Sequence, residues 1–299
     1  MVRNSVSVVI PARNEPFLKK TIDDLLLKAS GDIEVIAVLE GYWPPANEII
    51  NDPRVIYIHF GKAGGMRNAI NSCVAIAKGE YIMKLDAHCM VAEGFDGVLK
   101  ADCEDNWVVV PTRNRLEPET WTLRDVGKPP MNYMYLAYPT DPGVWGGASL
   151  QGREWTTKNK DEELKKVLID DLMSAQGSCW FMKRDYFIWL EILEEEKYGT
   201  FTKEMQEIGM KVWLSGGRMV RNKKTWYAHW HKGKEAGRGY PLSKAGLDKG
   251  ARYTNRWMTE KMWAKQTLSF EWIIEKFWPV PTWPENWREE IHKITPGIT

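Results

Sequence analysis

Tyr81-Ile82-Met83-Lys84-Leu85-Asp86-Ala87-His88 is a hydrophobic run that ends in a carboxylate and, two residues later, an imidazole. A buried strand that delivers those two groups places two metal ligands at the carboxyl edge of a sheet, where open α/β folds take their ligands. Two other stretches add weight. One is the strand, turn and charged loop from Ser5 to Glu15; the other is a second histidine cluster, His229-Trp230-His231, far downstream. The pattern points to an enzyme that handles a metal-bound phosphate.

The segments before Tyr81 supply the rest of the sheet. Val6-Ser7-Val8-Val9-Ile10 is an apolar run of the kind found in parallel strands covered on both faces, and Pro11 stops it. Phe17 to Ala29 has helical spacing at Ile22, Leu25 and Leu26; Ile33 to Leu39 and Val55 to Ile58 read as strands, Met66 to Ala77 as a helix, and Tyr81 to Leu85 as the fourth strand. Strands separated by crossover helices imply a parallel, Rossmann-like α/β half. No Gly-x-Gly-x-x-Gly follows the first strand, which argues against a nicotinamide or flavin dinucleotide. Gly64-Gly65 opens the helix after the third strand instead.

The chain has 299 residues, with 41 basic and 40 acidic side chains and a net charge of +1, so a preference for nucleic acid or anionic membrane has to come from a local patch. Four cysteines, at 73, 89, 103 and 179, show no CxxC pair and no disulfide-framework spacing, which favours a reducing compartment. No apolar stretch approaches the roughly 18 residues that a transmembrane helix needs. The expectation is a cytoplasmic protein with no membrane partner; oligomeric state is open.

Beyond Pro111 the prolines at 118, 129, 130, 139 and 142 mark turns and irregular strands that lie over the sheet edge. Helices are expected over Arg184 to Glu195 and Phe201 to Leu214, and a strand over Thr225 to His231. Lys232 to Gly250, rich in glycine and lysine, suits a mobile loop. In the last 60 residues Trp257, Trp263, Trp272, Trp278, Trp283 and Trp287 mix with basic residues, and Glu260 to Phe277 has helical character. Those aromatics either pack a helix against the catalytic domain or form an acceptor platform.

Val8-Val9-Ile10-Pro11-Ala12-Arg13-Asn14-Glu15 resembles the opening of GT-A nucleotide-sugar glycosyltransferases, particularly family 2 and the polypeptide N-acetylgalactosaminyltransferases. Leu85-Asp86-Ala87-His88-Cys89 is similar to the metal motif of the latter group, with histidine in place of the second aspartate of Asp-x-Asp. Gly177-Ser178, Lys183 to Phe187 and Glu204 to Gly217 follow in similar order. The resemblance implies a mixed, mostly parallel sheet flanked by helices. It covers about residues 5 to 240, and the implied catalytic domain spans 1–240, divided into a nucleotide-binding half (1–110) and an acceptor half (111–240), with a Trp-rich helical extension over 241–299. The segment from Trp226 to Lys234, with Gly237 to Tyr240, is also similar to glycosyltransferase-like proteins of bacteriophages, some of which decorate hydroxymethylated bases in DNA.

That resemblance implies a UDP-sugar donor and Mn²⁺ or another divalent cation. The metal would be held by Asp86, His88 and His229, or by His231, which an extended strand would put on the same face. Pro11, Ala12, Arg13, Glu15 and Glu40 would hold the uridine, although Leu39-Glu40-Gly41-Tyr42 departs from the usual Asp-Asp-Gly-Ser. Gly65 and Arg67 would face the nucleotide, and Lys232, Arg238 and Tyr240 would neutralise the departing diphosphate. Glu204, with Asp86, would be catalytic by orienting or deprotonating the attacking hydroxyl. Retention is the implied course. The acceptor preferred is a hydroxymethylpyrimidine in DNA, over protein Ser/Thr or a glycan. A catalytically silent sugar-nucleotide or DNA-binding protein, and a non-haem iron oxygenase built on a two-histidine, one-carboxylate set, are the readings from other classes.

Overall fold

A computed structural model describes residues 1–139, 148–232 and 240–294. Its centre is a mixed sheet of ten strands among the described residues, with path order β10-β12-β6-β11-β4-β1-β2-β3. The strands are β1 (Val2–Ala12), β2 (Ile33–Glu40), β3 (Val55–Phe60), β4 (Gly79–Leu85), β5 (Cys89–Val91), β6 (Trp107–Glu117), β7 (Thr122–Leu123), β8 (Met134–Ala137), β9 (Gln151–Glu154), β10 (Ile169–Asp171), β11 (Cys179–Lys183) and β12 (Arg218–His229). On the path, β3, β2, β1, β4, β6 and β12 run one way and β11 and β10 the other. The mostly parallel α/β expectation holds. The antiparallel β11 lies between β4 and β6, and β8 pairs with β9 in a separate ribbon.

Alternation along β1 shows why the apolar run has no polar face. Val9 joins the core on one side of the sheet with Ile36 and Ile82, while Val6, Val8 and Ile10 join the core on the other with Val35 and Met83. Helices Leu18–Lys28 and Met66–Ile76 cover the two faces, close to the predicted bounds. The common direction of β1, β2, β4 and β12 brings Arg13, Glu40, Asp86 and His229 to one edge.

Five expectations change. The helix expected over Arg184 to Glu195 stops at Leu190, where Glu191 turns left-handed at φ 51°. β12 ends at His229, so His231 is not strand-aligned with it. Strand β6 has no counterpart in the sequence reading, because Pro111 interrupts its apolar run; the structure keeps Pro111 inside the strand opposite Asn222, where the β12 register shifts. Lys244–Arg256 is a helix rather than part of a mobile loop. Ser243 caps it by accepting from Gly246 N at 3.2 Å, and a Cβ on Gly250 would stand 2.5 Å from Tyr198 O, so this glycine permits close packing. The helix expected over Glu260 to Phe277 shortens to Phe270–Phe277, since Thr267 N and Leu268 N are bound to Leu214 O.

The late tryptophans choose packing over display. Trp257, Trp263, Trp283 and Trp287 are buried in the same cluster as Ile36 and Ile82. Trp257 Nε1 donates to Tyr198 Oη, Trp263 Nε1 to Glu191 Oε2 and Trp283 Nε1 to Leu136 O, which satisfies the polar edge of each ring.

Candidate functional site

The carboxyl edge of the sheet opens into a cavity of about 640 Å³. Asp86, His88 and His229 converge on its floor, with one ligand atom from each lying within 4.8 Å of the others. The local geometry follows from the strand ends. Asp86 N bonds Ser178 O at 2.9 Å as β4 finishes, and Trp230 N bonds His88 O at 3.1 Å as β12 finishes. Trp230 also sets its ring edge-on to His88, with centroids 5.8 Å apart.

Each metal-ligand candidate is held by a second residue. Glu15 Oε2 accepts from His88 Nδ1 at 2.9 Å, which turns His88 Nε2 toward His229 Nε2 at 3.1 Å. A carboxylate behind a ligating histidine is the common arrangement at metal centres. Lys232 Nζ donates to the other Glu15 oxygen at 2.6 Å. Asp86 Oδ1 accepts from Lys84 Nζ, and Asp86 Oδ2 stands 3.2 Å from His229 Nε2. Burial pushes the Asp86 carboxyl up, but Lys84 and His229 outweigh it and hold the group far below the usual carboxylate range.

His229 is neutral. Burial draws its pKa to about 3, with His88 and Arg113 adding to the effect and the bond to Asp86 opposing it. Arg113 Nη2 lies 3.2 Å from His229 Nδ1, and a guanidinium only donates, so Nδ1 carries the lone pair and Nε2 the hydrogen. The donor set of one carboxylate and two imidazoles fits a divalent transition metal such as Mn²⁺. Arg113 is the feature at odds with ligation, because a ligating histidine ordinarily gives its second N–H to an acceptor.

Lys84 ties the metal-ligand side to Glu204. It is 1 % exposed, within the apolar stretch Tyr81 to Leu85, and donates to Asp86 Oδ1 and Gly177 O while standing 3.9 Å from Glu204 Oε2. Trp180 Nε1 donates to Glu204 Oε1 at 2.7 Å. A Cβ on Gly177 would collide with Glu204 Oε2, so only glycine lets this carboxylate reach its position. Burial raises the Glu204 pKa and Asp86 adds to it, against Lys84 and Trp180. A buried carboxyl with a raised pKa at a cavity wall suits a general base.

The other expected contacts divide. Pro11, Arg13, Glu40, Gly65 and Tyr240 line the cavity. Arg13 stacks over the Tyr240 ring with Cζ 4.2 Å from its centroid. Glu40 Oε1 accepts from Gly64 N at 3.0 Å and Gly65 N at 2.6 Å. Gly65, at φ 102°, has no room for a side chain against Thr200. Ala12 is fully buried in the core. Arg67 does not face the cavity among the described residues. It is buried on Glu207 and on Thr202 O at 2.7 Å. Glu207, one helical turn from Glu204, belongs to that ion-pair network with Lys211 and is structural. Arg238 lies outside the described residues.

Lys84, Arg113, Trp180 and the glutamines at 151, 176 and 206 were not singled out in the sequence. Lys84 alone carried a local signal, a charge inside a run that has to be buried.

Residues 7–189 match the family described as Glycosyl transferase family 2. The chain is 34% identical over 107 residues to the uncharacterized glycosyltransferase EpsJ of Bacillus subtilis (strain 168), covering 34% of this chain and 31% of that protein. It is 33% identical over 94 residues to the glycosyltransferase GlyG of Streptococcus pneumoniae serotype 4 (strain ATCC BAA-334 / TIGR4), covering 29% and 31%. It thus spans about a third of the length of these curated relatives. GalNAc-T7, crystallised with UDP, GalNAc and Mn²⁺, superposes with a TM-score of 0.66 at 18% identity, over 85% of this chain and 48% of its own. S. aureus TarS 1-349 gives 0.50 at 14% identity, over 86% and 72%. These likenesses establish a GT-A-like fold, and no described helix is long and apolar enough to cross a membrane. With more than half of its length inside the family match, the chain belongs to glycosyl transferase family 2.

Proposed function

We propose that this protein is a metal-dependent glycosyltransferase that moves a sugar from a UDP-sugar to a hydroxyl acceptor. The observation that carries this reading is the convergence of Asp86, His88 and His229 on one cavity, from two strand ends 141 residues apart. When bound, a divalent cation supplies Lewis-acid stabilisation of the negative charge that develops on the diphosphate. Lys232 and Arg13, at the same mouth, add positive charge beside the donor. Glu40 and Pro11 sit where a base and ribose would enter, and Glu204 orients or deprotonates the acceptor hydroxyl. Retention is the course we assign, and the anomeric configuration of the first-formed product, read by NMR, tests it.

A DNA acceptor is favoured by the resemblance of Trp226 to Lys234 to phage glycosyltransferase-like proteins and by the basic, aromatic last third. That segment spends Trp257, Trp263, Trp283 and Trp287 on the core while Trp278 stays 40% exposed, and it pairs Arg256 with Glu260, Lys265 with Glu191 and Arg288 with Glu275. With most of this aromatic and basic surface committed within the fold, a glycan or protein hydroxyl becomes a better reading than a phage-type, DNA-modifying role. The four cysteines, all free and buried, fit the cytoplasmic placement.

The test is UDP release from a panel of UDP-sugars, with Mn²⁺ or EDTA, alone and with saccharides, Ser/Thr peptides or hydroxymethylated DNA. Mn²⁺-dependent release selective for one sugar supports the reading. Absence of release from every donor, by folded protein, rejects it in favour of a silent binding protein.

A further inference from the structure

Lys84 is the one charged side chain between Tyr81 and Leu85. Its neighbours across the ladder are Val9 on β1 and Trp180 on β11, and Ile82 lies on the same face of β4; all three belong to the hydrophobic core. An apolar side chain at position 84 would extend that face. A buried ammonium instead carries a desolvation cost that only well-placed anions and acceptors offset, so its partners point to its use.

Those partners belong to the site. Lys84 Nζ donates to Asp86 Oδ1 and to Gly177 O. The Lys84 side chain is 1 % exposed and that of Asp86 26 %, so Asp86 is open to a ligand and Lys84 acts through it. The two Asp86 oxygens therefore have unlike surroundings. Oδ1 holds the ammonium, whereas Oδ2 stands 3.2 Å from His229 Nε2, itself 3.1 Å from His88 Nε2. The far side of the ammonium is tied to backbone at Gly177, the residue whose missing Cβ admits Glu204. Lys84 is thus anchored from two elements and keeps its side of Asp86. The histidine ligand beside it is treated in the opposite way: Glu15 accepts behind His88 and strengthens it as a donor, while a cation behind Asp86 draws charge from the carboxylate and places a positive charge next to the metal position.

We infer that Lys84 is a positioning residue that reserves Asp86 Oδ1, so that Asp86 offers a divalent cation Oδ2 alone, an inference that rests on the metal-dependent reading above. The consequence is a centre that holds its cation weakly by itself and leaves coordination positions to the oxygens of the donor's diphosphate. Firm binding of the cation then needs the nucleotide.

The test is calorimetry of Mn²⁺ binding to the full chain and to Lys84→Met, each without and with UDP. Lys84→Met frees Oδ1 and removes a positive charge, so Mn²⁺ alone should bind at least about tenfold more tightly, and the further tightening that UDP adds should shrink. A residue that only fills space would not give this sign: Mn²⁺ affinity unchanged or weakened in folded Lys84→Met would overturn the assignment. Infrared difference spectra of the parent, labelled with [¹³C]aspartate and loaded with Mn²⁺ and UDP, decide the point even where Lys84→Met fails to fold. The wide separation of symmetric and antisymmetric carboxylate stretches that marks coordination through one oxygen is expected. The narrow separation of a chelating carboxylate would overturn the assignment. Absence of Mn²⁺ binding by the parent, with or without UDP, would instead remove the metal-dependent reading and the role of Lys84 with it.

Discussion

On one side of the cavity Asp86, His88, His229 and Glu15 engage one another, Lys84, Lys232 and Arg113 with both polar atoms of each group; on the other, Gln151, Gln176 and Thr202 hold atoms with no partner. That network, in which Arg113 Nε lacks a partner but every polar atom of the two histidines and two carboxylates has one, holds its geometry before any ligand arrives, as a metal centre requires. The wall of Gln151, Gln176 and Thr202 has no such network. The chemistry is therefore fixed on the filled side, and substitutions there should disturb it most.

The largest effect should come from breaking the filled side. Asp86→Asn removes a ligand and leaves Lys84 short of its nearest anion, and UDP-sugar turnover should fall at least about 10³-fold, the worth of several kcal/mol of charge stabilisation. Turnover within tenfold of the parent would separate this cluster from the chemistry. Glu204→Gln keeps the shape and the Trp180 bond but removes the base, and kcat should fall on the order of 10²-fold. The sign of the pH dependence follows from the raised Glu204 pKa: the active form is the carboxylate, so kcat/KM of the parent should rise with pH along a limb that lies above the ordinary carboxylate range. A pH profile flat through that region would count against Glu204 as base.

Two smaller changes sharpen the comparison by moving metal affinity in opposite directions. Glu15→Gln weakens the acceptor behind His88 Nδ1 and should raise the Mn²⁺ dissociation constant about tenfold to a hundredfold. Arg113→Gln replaces a donor beside His229 Nδ1 by a side chain that can accept, and should lower that constant by up to about tenfold. Manganese titration followed by calorimetry or electron paramagnetic resonance reads both; shifts in the same direction would show that Glu15 and Arg113 do not act through the ring nitrogens of His88 and His229. Arg67→Met tests structure alone. It leaves Glu207 with Lys211 as its remaining cation and should destabilise the fold by about 1.5–3 kcal/mol, with the KM for UDP-sugar unchanged. A rise in that KM would return Arg67 to the nucleotide site.

Much of the filled side could be read in the sequence because its signals are local. The Asp86-x-His88 step follows directly from a strand end, and the first four strands and their helices announce themselves by uninterrupted apolar runs and helical spacing. What lay hidden depends on distant partners. Lys84 looked like one polar residue in an apolar strand, and only Asp86, Gly177 and Glu204 together explain its burial. Pro111 masked β6, because the irregularity that accommodates it belongs to β12. Gly246 and Gly250 looked like loop residues, although Gly250 serves close contact with Tyr198. Nothing in the sequence marks Gln151 and Gln176 as unpaired, since a lack of partners exists only in three dimensions. Glu204 and Glu207 make the same point: equal in sequence and one helical turn apart, one lines the cavity and the other closes a buried ion pair.

The most direct test of the account is a titration of UDP into the parent protein and Asp86→Asn, each with Mn²⁺ and with EDTA. UDP should bind the parent far more tightly with Mn²⁺ than with EDTA and lose that dependence in Asp86→Asn. Equal binding with and without metal, or a metal effect that survives Asp86→Asn, would contradict it.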